Sequence, residues 1–87
     1  MPALNEERRA VNAEFDWIVG TNVLTFRQAK GITQKDLAHH AGMDQTVLNR
    51  VENGVRSLKF REAICIAKAL KLRPEALTRQ HDNIDYE

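Results

Sequence analysis

The sequence predicts an all-α fold, a compact bundle of about five short helices that contains a helix-turn-helix. Apolar residues recur at spacings of three and four along the chain, and the strict alternation of a half-buried strand is absent. Gly, Thr, Asp and Pro separate these apolar segments at positions that suit helix starts and stops. With 87 residues, the chain has room for one small domain.

The first helix is predicted over about residues 16–29. Val19, Val23 and Phe26 are separated by four and three residues, which places them on one face of a helix. Gly31 follows the last turn, where the left-handed backbone of a helix end favours glycine. Residues 1–15 are predicted as an N-terminal extension, either an additional helix or a mobile arm.

Two further helices follow in quick succession. Thr33 suits the cap of the second helix, and Asp36 three residues later completes the pattern of a capping box. Gly42 ends this helix. Asp44 is predicted to cap the third helix, which runs over about residues 45–52.

The fourth helix is predicted from about Phe60 to Lys71. Its apolar face is formed by residues in helical period, namely Phe60, Ala63, Ile64, Ala67 and Leu70. Pro74 suits the first position of a short fifth helix, because its fixed φ is helical and its missing N–H is not needed there. Residues 16–79 are therefore predicted as the domain and residues 80–87 as an acidic tail.

The formal net charge of +1 conceals an uneven distribution along the chain. Residues 17–79 contain eleven Lys and Arg against five Asp and Glu, a net charge of +6. Residues 1–16 carry −2 and residues 80–87 carry −3. Clustered positive charge is typical of a surface that binds phosphate groups.

Other classes of function find little support in the composition. The single cysteine, Cys65, excludes a disulfide framework and a cysteine-based zinc site. His39 and His40 are adjacent and point about 100° apart on a helix, a poor arrangement for metal binding. No nucleophile–base pair is evident, so we expect neither an enzyme nor a metal or cofactor. The chain has no apolar run of the roughly 18 residues that a membrane span needs, and we expect a cytoplasmic protein.

The most informative segment spans residues 34–51, with the sequence QKDLAHHAGMDQTVLNRV. It contains two short helices joined tightly through Gly42, and the small residue Ala38 lies where their backbones must cross. From Val19 to about Thr78, the chain resembles the lambda-repressor-like, XRE-type family of helix-turn-helix proteins, which includes the Cro and phage repressors. The resemblance rests on Phe26-Arg27, Gly31-Ile32-Thr33-Gln34, Leu37-Ala38, Ala41-Gly42, Gln45, Arg50-Val51-Glu52-Asn53-Gly54, Ala67, Ala69-Leu70 and Leu77.

This resemblance implies roles for individual residues. In the family the third helix enters the major groove of DNA, so the implied base-reading residues are Gln45, Thr46, Asn49 and Arg50. The implied phosphate contacts are Gln34, Lys35, Asn53, Arg56 and Lys59. Gln34 also braces Gln45 in this family, and Arg27 pairs with Glu52 in a structural salt bridge.

The resemblance implies a sequence-specific transcriptional regulator from a bacterium or phage. We expect a Cro- or repressor-like protein that binds a palindromic operator in double-stranded DNA as a homodimer and represses by occluding a promoter. Two alternatives remain open at this stage. The chain could be the DNA-binding antitoxin of a toxin–antitoxin pair, with its acidic termini contacting a protein partner. It could also be a protein-interaction module that does not bind DNA.

Overall fold

The computed structural model describes residues 2–80, with side chains for residue 9 and residues 11–80. Four α-helices and a final 3₁₀ helix follow one another without a strand in this part of the chain. They are α1 (Pro2–Ala29), α2 (Gln34–Ala41), α3 (Gln45–Glu52), α4 (Phe60–Ala69) and the 3₁₀ helix Pro74–Thr78. The predicted all-α fold is therefore confirmed. The predicted acidic tail lies outside the described residues, apart from Gln80.

Helix α1 is longer than predicted and does not begin near residue 16. It is continuous over 28 residues and includes the N-terminal extension. Residues 3–15 contain no glycine or proline and are rich in Glu, Arg and Ala, which favour helix. Nothing in this stretch ends a helix before Asp16, so the extension and the predicted first helix form one element.

The two short helices begin and end at the predicted residues. Thr33 accepts a hydrogen bond from the N–H of Asp36 at 3.0 Å, and Gly42 ends α2 with a φ of 67°. Asp44 takes the predicted cap position before α3, but the cap does not involve its side chain. Its carbonyl accepts the first helical bond, from the N–H of Leu48 at 3.0 Å, while its exposed side chain makes no cap bond.

Helix α4 begins at Phe60 as predicted, but it ends earlier and its first residue does not face the core. It stops at Ala69, and Lys71 takes a left-handed φ of 59°, which ends the helix before the predicted boundary. Phe60 does not face the core and is 84% exposed. As the first residue of α4, it lies at the mouth of a groove instead of between two helices.

The core lies between all five elements. Its buried apolar residues are Val19, Val23, Leu37, Ala38, Ala41, Leu48, Val51, Ile66, Ala67, Leu70 and Leu77. Asn22 is also buried, and its Nδ2 donates hydrogen bonds of 2.8 Å to the carbonyls of Leu77 and Arg79. This amide holds the end of the 3₁₀ helix against α1 and satisfies two carbonyls that the short helix leaves unpaired.

Candidate DNA-binding surface

Helices α2 and α3 form the predicted helix-turn-helix, with three residues between them. Gly42 has a left-handed backbone, and the N–H of Met43 donates to the carbonyl of Ala38 at 2.9 Å. Ala38 is 2% exposed, so its small side chain lets the two helices approach closely. Leu37 and Leu48 are fully buried between the helices, which fixes the direction of α3.

Helix α3 has one buried face and one exposed polar face. Leu48, Val51 and Glu52 are buried. At about 100° per residue, the exposed face spans an arc of about 140° and brings together all four predicted base-reading residues: Gln45, Thr46, Asn49 and Arg50. Val47 is half-buried at the edge between the two faces.

The four polar side chains differ in the partners they have within the chain. Gln45 donates a long hydrogen bond of 3.5 Å to Oε1 of Gln34. Asn49 accepts a bond of 3.1 Å from Nδ2 of Asn53. No hydrogen bond or ion pair joins the side chain of Thr46 or of Arg50 to another described residue, so these two side chains present unused donors at the surface.

A charged network fixes the C-terminal end of α3. Arg27 pairs with Glu52 through two bonds, Nε to Oε2 at 2.6 Å and Nη2 to Oε1 at 3.0 Å. Gln34 donates to the same Oε1 at 2.9 Å, and Arg27 also donates to the carbonyl of Ile32 at 2.9 Å. Because Glu52 is only 7% exposed, these donors compensate its buried charge. The network joins α1, the start of α2 and the end of α3.

The predicted phosphate contacts differ in whether their side chains already have partners within the chain. Lys35, Asn53 and Lys59 are exposed, and neither lysine forms an ion pair with a side chain that the structure describes. Gln34 is half-buried with its amide engaged by Glu52 and Gln45, while its backbone N–H lies in the first turn of α2. A helix N-terminus suits an anion such as a phosphate.

Arg56 is engaged by a carboxylate that sequence reasoning missed. Its guanidinium forms an ion pair with both oxygens of Glu62 and donates to the carbonyl of Ser57 at 2.8 Å. The hydrogen bond from Arg56 holds the pKa of Glu62 below its ordinary value. Glu62 also accepts from the N–H of Lys59 at 2.9 Å. The acidic residue three positions after Lys59, which precedes α4, was the available signal.

Three further contacts between elements of the fold were also missed. Gly20 lies where α1 crosses the end of α3, and a Cβ built on it would be 2.0 Å from the carbonyl oxygen of Val51. Ser57 donates to the carboxylate of Asp16 at 2.7 Å, which ties the α3–α4 loop to α1. Asn22 was detectable only as a polar residue within the apolar face of α1.

The described residues contain no group of three His, Cys, Asp or Glu side chains placed to hold a metal ion. None of the helices in this part of the chain combines the length and the apolar character that crossing a membrane requires.

Comparisons with known proteins agree with this geometry. The helix-turn-helix family HTH_3 matches residues 23–77. The control protein C.SmaI of Serratia marcescens is 34% identical over 64 residues, which cover 72% of this chain and 76% of that protein. The crystal structure of the restriction-modification controller protein C.AhdI from Aeromonas hydrophila has a TM-score of 0.69 and 31% identity, covering 71% of this chain and 94% of that one.

A hypothetical transcription factor from Neisseria, NHTF, superposes with a TM-score of 0.76 over 83% of both chains. At 24% identity, this likeness supports the fold alone. The relatives described here are control proteins and transcription factors, not enzymes. This chain therefore belongs to the helix-turn-helix family HTH_3 and is a transcriptional regulator of that type, similar to restriction-modification controller proteins.

Proposed function

We propose that the protein binds a palindromic operator as a homodimer and represses transcription by occluding the promoter. The observation that carries this proposal is the exposed polar face of α3, on which Thr46 and Arg50 present side chains with no partner in the described chain. A rigid helix with unused donors is the arrangement that reads base edges in the major groove.

Each residue of this face has a chemistry suited to a base. The guanidinium of Arg50 matches O6 and N7 of guanine, and the amide of Gln45 matches N6 and N7 of adenine. Gln34 holds Gln45 at 3.5 Å, a contact that restricts the orientations of the Gln45 amide before DNA arrives. Thr46 offers a hydroxyl to a base or phosphate. Asn49 is oriented by Asn53, so its amide oxygen is already engaged and its amide N–H groups are the ones that would reach the DNA.

The length of α3 is the reason for proposing a dimer. Eight residues at 1.5 Å each make a helix of about 12 Å, which reaches only a few base pairs. Useful specificity then requires two half-sites about 34–36 Å apart, read by two copies related by a two-fold axis. A palindromic operator follows from that symmetry.

The proposed phosphate contacts would hold α3 in register. The exposed ammonium groups of Lys35 and Lys59 can approach DNA without first breaking an ion pair, and the N-terminus of α2 adds backbone donors. Arg56 is placed by Glu62 and would contribute the outer edge of its guanidinium. Each phosphate neutralised in this way adds about 0.9 to the salt slope, the steepness with which the logarithm of the affinity falls with the logarithm of the salt concentration.

The nature of the relatives suggests where the operator lies. The two relatives above 30% identity are a control protein and a restriction-modification controller protein. We therefore propose promoters of a restriction–modification gene cluster as the first targets to examine. Selection from random DNA would identify the operator, and a palindrome that also occurs upstream of such genes would support this target.

Binding measurements with that operator test which residues read bases and which contact phosphates. Arg50→Ala should cost about 1–3 kcal/mol at one base pair and relax the preference there. Lys35→Ala should weaken binding to all sequences alike and lower the salt slope by about 0.9. Lys68→Ala, which removes an exposed charge from α4 outside the proposed surface, serves as the control and should change neither property.

Salt-independent binding, or no binding at all, would overturn the proposal of a DNA-binding regulator. If Arg50→Ala and Lys35→Ala changed affinity equally for every sequence, α3 would not be the base-reading element.

A further inference from the structure

An apolar groove lies on the protein away from the exposed face of α3. It has a volume of about 580 Å³ and lies between the middle of α1, the α3–α4 loop, α4 and the 3₁₀ helix. Its apolar lining includes Phe15, Val19, Leu58, Phe60 and Ile64. Phe15 is 50% exposed and Phe60 is 84% exposed. No residue of α2 or α3 contributes to the lining, so an occupant of the groove would leave the base-reading face free.

The N-terminal half of α1 meets this groove at Asn12 and Phe15 and continues beyond it towards residue 2. We refer to residues 2–15 of α1 as the arm. Residues 11–15 are all exposed, and Val11 and Phe15 are four residues apart on one face of the helix, 63% and 50% exposed. A helix of this length has little stability on its own in water, and packing of an apolar face is what usually stabilises it.

We propose that a second copy of this chain occupies the groove, each copy placing the Val11–Phe15 face of its arm over the groove of the other. This inference deepens the proposed function, since it rests on the proposed homodimer and assigns its interface. Arm and groove belong to the same patch because Phe15 is part of both. A two-fold interface requires such a self-complementary patch.

The distribution of charge favours a second copy as the occupant. The arm carries Arg8 and Arg9 against Glu6, Glu7 and Glu14, a net charge of −1, whereas residues 17–79 carry +6. Glu14 on the arm and Arg61 beside Phe60 are both exposed, and neither forms an ion pair within the described part of the chain. Glu14 of one copy can therefore pair with Arg61 of the other across the interface.

The arm is large enough for a stable interface. Fourteen residues at 1.5 Å each span about 21 Å, and a helix about 10 Å in diameter then has a lateral surface of roughly 660 Å². Covering half of it buries roughly 330 Å² of arm, and the groove that receives the partner's arm contributes a similar area. Each copy would bury roughly 660 Å², close to the roughly 800 Å² per partner of standard interfaces.

Sedimentation of the full chain without DNA tests this interface. Phe15→Glu and Val11→Glu should each raise the dimer dissociation constant at least about tenfold, because an apolar contact is lost twice in a two-fold dimer. Ala13→Glu is the matched control, since residue 13 is exposed on the opposite side of the same helix turn. It should leave the constant within twofold of the original, and circular dichroism should show that all variants are folded.

Two results would overturn the interface. One is an unchanged dissociation constant in both Phe15→Glu and Val11→Glu, which would mean that another surface joins the copies or that the groove has another occupant. The other is a chain that stays monomeric at every concentration. Because Val11 does not line the groove, Val11→Glu keeps the test valid if Phe15→Glu does not fold.

Mixing two single-cysteine variants tests the arrangement itself. In a Cys65→Ala background, chains with Val11→Cys and chains with Phe60→Cys should form a mixed disulfide on oxidation. Chains with Ala13→Cys should not form one with Phe60→Cys. Disulfides only between two Val11→Cys chains would show arm-to-arm pairing and would overturn the proposed docking in the groove.

DNA binding separates this inference from the proposed function. Phe15→Glu should bind a single half-site as the original chain does, but should lose the additional affinity for the palindrome. If the original chain dimerises through the arm yet binds no half-site, the interface stands and the proposed regulator fails. If half-sites are bound while dimerisation is insensitive to the arm, the interface fails and the regulator stands.

Discussion

Substituting Gly20 by alanine tests whether the contact between α1 and α3 positions α3. A Cβ at this position would lie 2.0 Å from the carbonyl oxygen of Val51 and 3.2 Å from the N–H nitrogen of Gly54. Ordinary van der Waals contact begins at 3.4 Å, so the oxygen would have to move 1.4 Å, from 2.0 to 3.4 Å. Both neighbouring atoms are backbone and cannot rotate away.

Two opposing effects determine how much Gly20→Ala changes the free energy of unfolding. Replacing glycine by alanine inside a helix stabilises it by about 1 kcal/mol. Overpacking a tight contact costs about 1–3 kcal/mol, and the upper value applies here because α3 or its terminal turn must shift as a unit. We therefore expect Gly20→Ala to lower the free energy of unfolding by about 2 kcal/mol. The sign opposes the one that helix propensity alone predicts.

Urea unfolding followed by circular dichroism measures this change. Thr25→Ala is the matched control, because residue 25 is exposed on the same helix and only the propensity gain, up to about 0.7 kcal/mol, applies there. The chemical shifts of residues 51–54 should move in Gly20→Ala and stay unchanged in Thr25→Ala. If Gly20→Ala were as stable as the original chain or more so, the close approach of α1 to α3 would be refuted.

Three further predictions concern the charged residues around α3. Arg27→Met should destabilise the fold by about 3 kcal/mol in thermal or urea unfolding, because it leaves the buried carboxylate of Glu52 without its cation; adding Glu52→Leu should recover much of this loss. Because Arg56 lowers the pKa of Glu62 below 4.5, their ion pair stabilises the fold above that pH and is lost as the pH falls. The unfolding free energy should therefore depend less on pH below 4.5 in Glu62→Gln, and an unchanged slope would contradict the pairing. Asp44→Asn should change the free energy of unfolding by less than about 0.5 kcal/mol, since the side chain makes no cap bond. It should strengthen DNA binding up to about fivefold, because it removes a negative charge. A large loss of stability would mean that the carboxylate does cap α3.

The parts of the fold that depend on local chemistry were predictable from the sequence. Thr33 and Gly42 define the ends of α2 through a side-chain cap and a left-handed backbone, and both act within a few residues of where they occur. The same locality explains why the exposed and buried faces of α3 were predicted correctly. Asp44 shows the limit of this reasoning, because a residue type that favours a cap need not use its side chain there.

The parts that depend on distant contacts were not predictable in the same way. Gly20 lies within a helix, where glycine usually only weakens structure, and its role becomes evident once Val51 is known to lie against it. Phe60 fits the apolar period of α4, but the period does not reveal that the first turn of the helix lies at the mouth of a groove. Asn22 and Glu62 act across elements, so the spacing of residues along one helix carries little information about them.

The contacts of α3 are divided between its two ends in a way that suits a helix that reads DNA. The C-terminal end is fixed by Glu52, which Arg27 and Gln34 hold, and by the close approach of α1 at Gly20. The exposed face towards the N-terminal end carries Thr46, whose side chain supports none of these contacts. The direction of the helix is therefore determined by residues other than those that would contact bases. Changes on the exposed face can alter the preferred sequence while the orientation of the helix, and with it the spacing between two half-sites, is preserved.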